Sequence, residues 1–349
     1  MADPSGLLKR LLKEVPEIRE RAAVVRRQKG VALALYYHQP ELYYARGLEL
    51  LESGAVDQAL DILDKAIDLR LTYHDAQAAL CLALERRASA EGRYPVSVIT
   101  PTIGGSQLRR AINSVQSQSY AKLEHIIVVD GPHGAKAAKT AIPARPRHPC
   151  HLIQLPFNTG RDGFNGHRIY GAAVFLANGR YVAFLDEDNW FEPHHIALLM
   201  ERIESKGLEW SYALRNIVDR DGRFLMRDNC ESLGRWSPFD EPGKHLVDMN
   251  CYMLRRDIAI ALSPVLHRRF PDERGPDFIL CELLLERRKR FETTGRFTVN
   301  YTVESTPNSV NAALFLAGND AMRRRYRRGF PWTREPDAPE AGFLAQTGL

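Results

Sequence analysis

The apolar run Tyr181–Leu185 ends in three consecutive acids, Asp186, Glu187 and Asp188. A short run rich in β-branched and aromatic residues reads as a buried strand, and in open α/β sheets ligands gather at the carboxyl ends of strands. Two earlier runs have the same form. Val96–Thr100 lies between Pro95 and Pro101, and His125–Val129 ends in Asp130. Between them SQLRRAINSVQSQ puts Leu108, Ile112 and Val115 on one helical face, with Ser106 as the expected N-cap. Leu152–Gln154 reads as a third strand and Gly166–Ala177 as the helix before Tyr181. The stretch 131–149 reads as irregular or only partly helical. Strands alternating with helices predict an α/β fold, a mostly parallel sheet flanked by helices. After Trp210 the pattern becomes mixed, and DRDGR, Asp219–Arg223, reads as a hairpin turn.

The first 90 or so residues are helical in pattern. Leu7, Leu8, Leu11 and Leu12 recur at helical spacing until Pro16 interrupts them. ELYYARGLELLESG then forms one apolar-periodic segment stopping at Gly54, and VDQALDILDKAIDL forms another with Ala59, Ile62, Leu63 and Ala66 on one face. Gly47, Leu50, Ala59, Leu63 and Ala66 fall where a tetratricopeptide repeat puts its packing residues, so the pair resembles one such repeat, without its early Trp; a plain helical bundle accounts for the pattern almost as well. A lone repeat does not stand by itself, which predicts packing on a catalytic domain, on a protein partner or on a second copy of the chain. The expected organisation is a helical region at 1–92, an α/β domain at 93–330 and a loosely held tail at 331–349 that carries Pro331, Pro336 and Pro339.

At 349 residues, 44% hydrophobic and 26% charged, the composition is that of a soluble globular protein. No apolar run reaches the roughly 18–20 residues that span a bilayer, and the N-terminus lacks the apolar core and cleavage site of a secretory signal. Five scattered cysteines, with no CxxC pair, argue against a disulfide framework or structural zinc and for a reducing cytoplasm. A net charge of +5 allows phosphate-bearing ligands or an acidic membrane face without requiring a nucleic-acid partner, and none is expected.

At a strand end, two carboxylates one residue apart suit a hard cation, Mg²⁺ or Mn²⁺, which takes oxygen ligands and bridges carboxylates to phosphates. NTGRDGFNGHRIYGAA, Asn158–Ala173, is a glycine-rich loop running into a helix. Small residues let backbone approach a ligand, helix N-termini favour anions, and Arg168 can reach a phosphate or carboxylate. VSVITPT, HIIVVDG, this loop and AFLDEDNWFEP occur in an order that resembles glycosyltransferase family 2, a GT-A-fold family of inverting enzymes, over roughly residues 94–305.

The resemblance implies a nucleotide-diphospho-sugar donor, UDP-linked by default. Pro101 and Thr102 would open the nucleotide pocket, Asp130 would contact the base, and Asn158, Gly160 and Arg168 would shape the pocket around nucleotide and diphosphate. Asp186 and Asp188 would handle ribose and metal, with Asp188 the direct metal ligand. Glu187, between them, draws no role. Departures stand at Gly131, where the family often has a second acid, and at Ile103-Gly104, where it often has Tyr-Asn; they leave the nucleotide open.

An inverting transfer needs a carboxylate to take the acceptor hydroxyl's proton. In the family this base lies near the start of a helix. GPDFILCELLLE, Gly275–Glu286, has that shape, which makes Asp277 the candidate, with Asp272 and Glu273 as rivals. The plainer alternative is that Asp277 only caps the helix after Gly275-Pro276. DMNCYMLRRD resembles the acceptor-side strand, and Asp248 or Asn250 would contact donor sugar or acceptor. His194 and His195 point apart on a helix and do not share a metal. GPHG lacks the lysine and spacing of a P-loop. The basic run Ala321–Trp332 is a solvated helix face or a contact for an anionic membrane or lipid-linked diphosphate. The acceptor implied is a hydroxyl of a saccharide, a lipid-linked precursor or a protein. Two other classes remain: a catalytically idle nucleotide-binding adaptor, and a nucleotidyltransferase, for which GGSQLRR is a poor version of the usual glycine-rich signature.

Overall fold

The computed structural model describes residues 38–70, 73–90, 95–236, 245–268, 275–288, 290–304, 310–333 and 335. The Leu7–Leu12 segment, Asp272, Glu273 and the tail from 336 onward lie outside these residues. The chain divides into two compact units, 1–93 and 94–349.

In the first unit, α1 (Gln39–Glu52), α2 (Val56–Leu69) and α3 (His74–Ala90) form a packed set of helices. Leu50, Leu51, Ala59, Leu63 and Ala66 are buried. Gly47 is required by the closeness of α1 and α2, since a Cβ there would meet Leu63 Cδ2 at 2.5 Å.

The second unit holds β1 (Val96–Thr102), α4 (Leu108–Gln116), β2 (Leu123–Val129), α5 (Ala135–Ala141), β3 (Cys150–Gln154), α6 (His167–Ala173), β4 (Tyr181–Phe184) and β5 (Trp190–Phe191). It continues with α7 (His195–Lys206), β6 (Trp210–Val218), β7 (Phe224–Arg227), β8 (Tyr252–Arg255), α8 (Arg256–Leu266), α9 (Pro276–Arg287), β9 (Phe291–Thr302) and α10 (Ala312–Arg325). Among the described residues the strands form one sheet in the order β3-β2-β1-β4-β8-β6-β9-β5, with β7 also on β6. The first half, β3-β2-β1-β4, is parallel throughout. Beyond β4 the sheet turns mixed: β8 is antiparallel to both neighbours, and β9 returns parallel to β6.

Every residue of β1 and β2 is buried, as in strands covered on both faces. β1 runs two residues beyond the expected Val96–Thr100 and includes Pro101. β4 pairs with β1 only as far as Ile99, so the missing N–H of Pro101 leaves no ladder bond unmade. Ser106 does not cap α4; that position is Gln107 and no side chain caps it. The helix expected at Gly166–Ala177 is one turn shorter, ending at Ala173. The DRDGR turn forms as read, with Asp219 N donating to the Arg223 carbonyl at 3.0 Å. Trp332, in the basic run, is buried and donates from Nε1 to Asn229 at 2.9 Å, while Arg324, Arg327 and Arg328 face solvent.

Candidate active site

From β1 the chain steps outward through β2 and β3, then returns through α6 to lay β4 on the other side of β1. The strand order therefore reverses at the β1/β4 crevice, the position where open sheets bind ligands. Thr102 closes β1 on one side of it, and Asp186, Glu187 and Asp188 follow β4 on the other.

The acidic turn is pinned from three sides. Asp186 N donates to Asn250 Oδ1 at 2.6 Å. Thr302, at the end of β9, donates from Oγ1 to the Asp188 carbonyl at 2.5 Å and from N to Asn189 Oδ1 at 2.9 Å. Glu187 turns back onto the loop after β1. Its carboxylate accepts from the Thr102 hydroxyl and, at 2.8 Å, from Gly105 N. The residue to which sequence reading gave no role thus sets the Ile103–Gly105 backbone, and Thr102 spends its hydroxyl proton on it.

Asp130 follows β2 and is nearly buried. Its Oδ1 accepts from Thr159 N at 2.6 Å and Thr159 Oγ1 at 2.9 Å; its Oδ2 accepts from Gly160 N at 2.8 Å. Both oxygens of this expected base contact are therefore anchoring the Asn158–Gly160 turn. The glycine-rich loop then reaches Pro101: at Gly166 a Cβ would lie 2.6 Å from Pro101 Cγ. Arg168 lies with its guanidinium 3.6 Å from the Phe164 ring centroid and 3.4 Å from the Thr159 carbonyl. Pro101, Thr102, Asp130, Asn158, Gly160 and Gly166 are thereby brought into one loop cluster.

Asp277 stands in the first turn of α9, whose N-cap is Gly275 with no side-chain cap. Asp277 is thus not the N-cap residue, though as a first-turn acid it still complements the helix dipole. Asp277 Oδ1 lies 3.0 Å from His167 Nε2, joining segments 110 residues apart. His167 Nδ1 lies 3.0 Å from the Phe164 carbonyl. Burial opposes a charge on His167, but the Asp277 carboxylate, then Asp186 and the Phe164 carbonyl, outweigh it and raise its pKa from 6.5 to about 9. A folded pKa above the unfolded one means stabilisation that is full below about pH 6.5 and is lost as pH rises through about 9. At 1.36 kcal/mol per pH unit the effect is on the order of 3 kcal/mol. Urea unfolding between pH 6 and 9.5 is expected to lose that much more stability in the wild type than in His167→Gln. Parallel curves would mean that the pair carries no linkage.

Asp186 is held by Tyr170 Oη at 2.7 Å and by Asn250 Nδ2 at 2.7 Å. Asn250 Nδ2 also donates to Asp248 Oδ1 at 2.8 Å, and Asp248 Oδ2 accepts from Arg215 Nη1 at 2.7 Å. Arg215, 1% exposed, further binds Asp228 at 2.8 Å and Glu231. Asp248 and Asn250 are thus internal links behind Asp186 and not surface groups. Sequence reading missed Arg215. The available signal was a lone charge inside the apolar strand WSYALRNIV, which must be paired if buried, followed by the acids of DNCE.

Asp186 is pushed up to about 7 by burial, then by Asp188 and Asp248. Asp188 and Asp248 crowd the buried Asp186 carboxyl, and carboxylate oxygens of this kind at a strand end are a donor set that a hard cation fits. Among the described residues no group of three His, Cys, Asp or Glu forms a ready-made metal cage. Asp188 and Asp186 are the residues that would hold the cation. Arg110 stacks 3.8 Å over the Trp190 ring and experiences the charge of Asp188. His194 and His195 do point apart: His194 reaches Ser119 at the surface, while buried His195 stacks on Phe191 at 3.9 Å.

A parallel half-sheet with acids at its switch point, continued by a mixed half, makes this a GT-A-type α/β fold with helices N-terminal to it. Residues 97–261 match the family model for Glycosyl transferase family 2. The succinoglycan biosynthesis protein ExoO of Rhizobium meliloti (strain 1021) is 26% identical over 238 residues, covering 62% of this chain and 64% of that protein. The chain therefore spans just under two thirds of the length of that relative. Among solved structures, S. aureus TarS 1-349 superposes with a TM-score of 0.46 at 17% identity over 59% of this chain and 60% of that one. Its complex with UDP-GlcNAc gives 0.46 at 16% over 73% and 76%. Among the described residues no helix is long and apolar enough to cross a membrane.

Proposed function

We propose that the chain is an inverting glycosyltransferase of hexosyl type. It transfers a sugar from a nucleotide-diphospho-sugar, UDP-linked by default, to a hydroxyl of a saccharide, lipid-linked or protein acceptor, as in polysaccharide biosynthesis. The observation that carries this reading is the His167–Asp277 contact of 3.0 Å. It brings a first-turn carboxylate against the loop that runs on from Asn158, next to the acids that follow β4. The match of residues 97–261 to the family model supports it.

The acceptor oxygen attacks the anomeric carbon from the face opposite the diphosphate. The new C–O bond forms as the bond to the diphosphate breaks, and the nucleoside diphosphate leaves with the electron pair. Asp277 takes the hydroxyl proton as general base. Asp130 and Glu187 keep the two donor-side loops rigid, which favours a fixed attack geometry. A divalent cation held by Asp188, with Asp186 beside it, would supply charge for the departing diphosphate. The helical unit serves a partner, whether a protein acceptor or a second copy of the chain, through tetratricopeptide-like packing.

A thermal-shift panel of nucleotide sugars with Mn²⁺ tests the reading. A uridine- or guanosine-diphosphate sugar at a hundredfold excess over Kd adds about 2.7 kcal/mol of stability. Asp188→Ala is expected to abolish most of the Mn²⁺-dependent part. An equal shift in the variant would remove Asp188 from the metal site, and no response to any donor would remove the donor reading.

A further inference from the structure

We infer that His167 is the positioning residue of Asp277, fixing Oδ1 and leaving Oδ2 for the incoming hydroxyl. The inference rests on the reading of Asp277 as the base. His167 begins α6, and its ring is held at both nitrogens, by the Asp277 carboxylate and by the Phe164 carbonyl, each at 3.0 Å. Both partners only accept hydrogen bonds, so both ring nitrogens must carry protons. A ring with both N–H groups so spent has no lone pair with which to act as a base itself. What it does is restrict the carboxylate. Among the described residues Asp277 Oδ2 accepts no hydrogen bond, and α9 takes no cap from the side chain.

His167 is itself firmly placed. The loop ahead of it is clamped by Asp130 through Thr159 and Gly160 and closed by Asn165 N donating to the Gly160 carbonyl at 3.0 Å. The same loop carries Asn158, Gly160 and Arg168, so the donor side and the base are set by one rigid piece of chain. A carboxylate near a helix start with no such tether would sample several rotamers, and a misplacement of about 1 Å can cost about 100-fold in rate.

Two measurements on the full chain test this. With ¹⁵N-labelled histidine, the ring signals that disappear in His167→Ala are expected to show a doubly protonated imidazole at pH 7.5 and to revert to a neutral ring in Asp277→Asn. This arm needs no substrate. A neutral ring in the wild type, or one indifferent to Asp277→Asn, overturns the inference. The second is hydrolysis of UDP-GlcNAc with Mn²⁺. His167→Ala is expected to lower kcat about 10- to 100-fold with KM within about twofold, and His167→Gln, which keeps an N–H donor, to recover part of the loss. Wild-type kcat in His167→Ala, with Asp277→Asn inactive, overturns the inference while leaving the base intact. Full activity in Asp277→Asn removes the base reading instead, whatever the ring signals show.

Discussion

Asp277→Asn is expected to lower kcat by about 10²–10⁴, the range by which general-base catalysis contributes, while nucleotide binding holds and the chain stays folded, less stable by the roughly 3 kcal/mol of the lost His167 ion pair. The substitution is nearly isosteric. With the ring neutral and its one proton on Nδ1 for the Phe164 carbonyl, the Asn Nδ2 can donate to His167 Nε2, so the 3.0 Å contact that ties α9 to the loop need not be lost. What is lost is the capacity to take a proton from the acceptor. Initial rates of UDP-sugar consumption read the first effect, and UDP-induced shifts of the melting temperature read the second. A variant that retains a tenth or more of wild-type kcat would show that another group, Asp272 or Glu273 among them, takes the proton. A variant that no longer binds UDP would show that Asp277 belongs to the donor site.

Arg215→Met is expected to destabilise the α/β unit by about 3–5 kcal/mol, the cost of stranding buried charge when one partner is removed. Arg215 is 1% exposed and reaches Asp228, Asp248 and Glu231 at once. The consequences differ among the three. Burial works against Asp228, but Arg215 and the backbone N–H groups of Cys230, Ser232 and Glu231 bring its pKa down; burial raises Glu231 and Asp248 despite Arg215. Without the guanidinium Asp228 and Asp248 face like charge in a buried site, with the partly exposed Glu231 beside them. The damage should also reach the site, because Asp248 orients Asn250 and Asn250 holds Asp186. Urea denaturation of the wild type, Arg215→Met, and Arg215→Met combined with Asp228→Asn and Asp248→Asn separates the effects. The triple variant should regain much of the loss, since replacing a whole buried ionic set costs far less than breaking it. A loss below about 1 kcal/mol in the single variant would mean that the network is wet and weak.

These two residues mark how far the chain could be read unaided. Asp277 was singled out because GPDFILCELLLE has the shape that the family resemblance implies for the base, the proline marking only where a helix starts. Its partner was not, because nothing in His167's own surroundings points 110 residues downstream. Asp130 was found for its place after an apolar strand, yet its oxygens turn out to hold Thr159 and Gly160. Glu187 was passed over between two aspartates because its partners, Thr102 and Gly105, arrive from β1.

The amino-acid sequence by itself determined β1, β2, β3 and β4, the acids that follow β2 and β4, the helices α4 and α6, and hence the α/β order of the parallel half of the second unit. These follow from periodicity and from where apolar runs stop, interactions that a short segment makes with itself or with any core. Only the tertiary structure decided which carboxylates are spent on holding loops and which remain for chemistry. A carboxylate's role depends on the donors that reach it and on how much water it keeps. In this protein those donors come from strands and loops far apart in the chain.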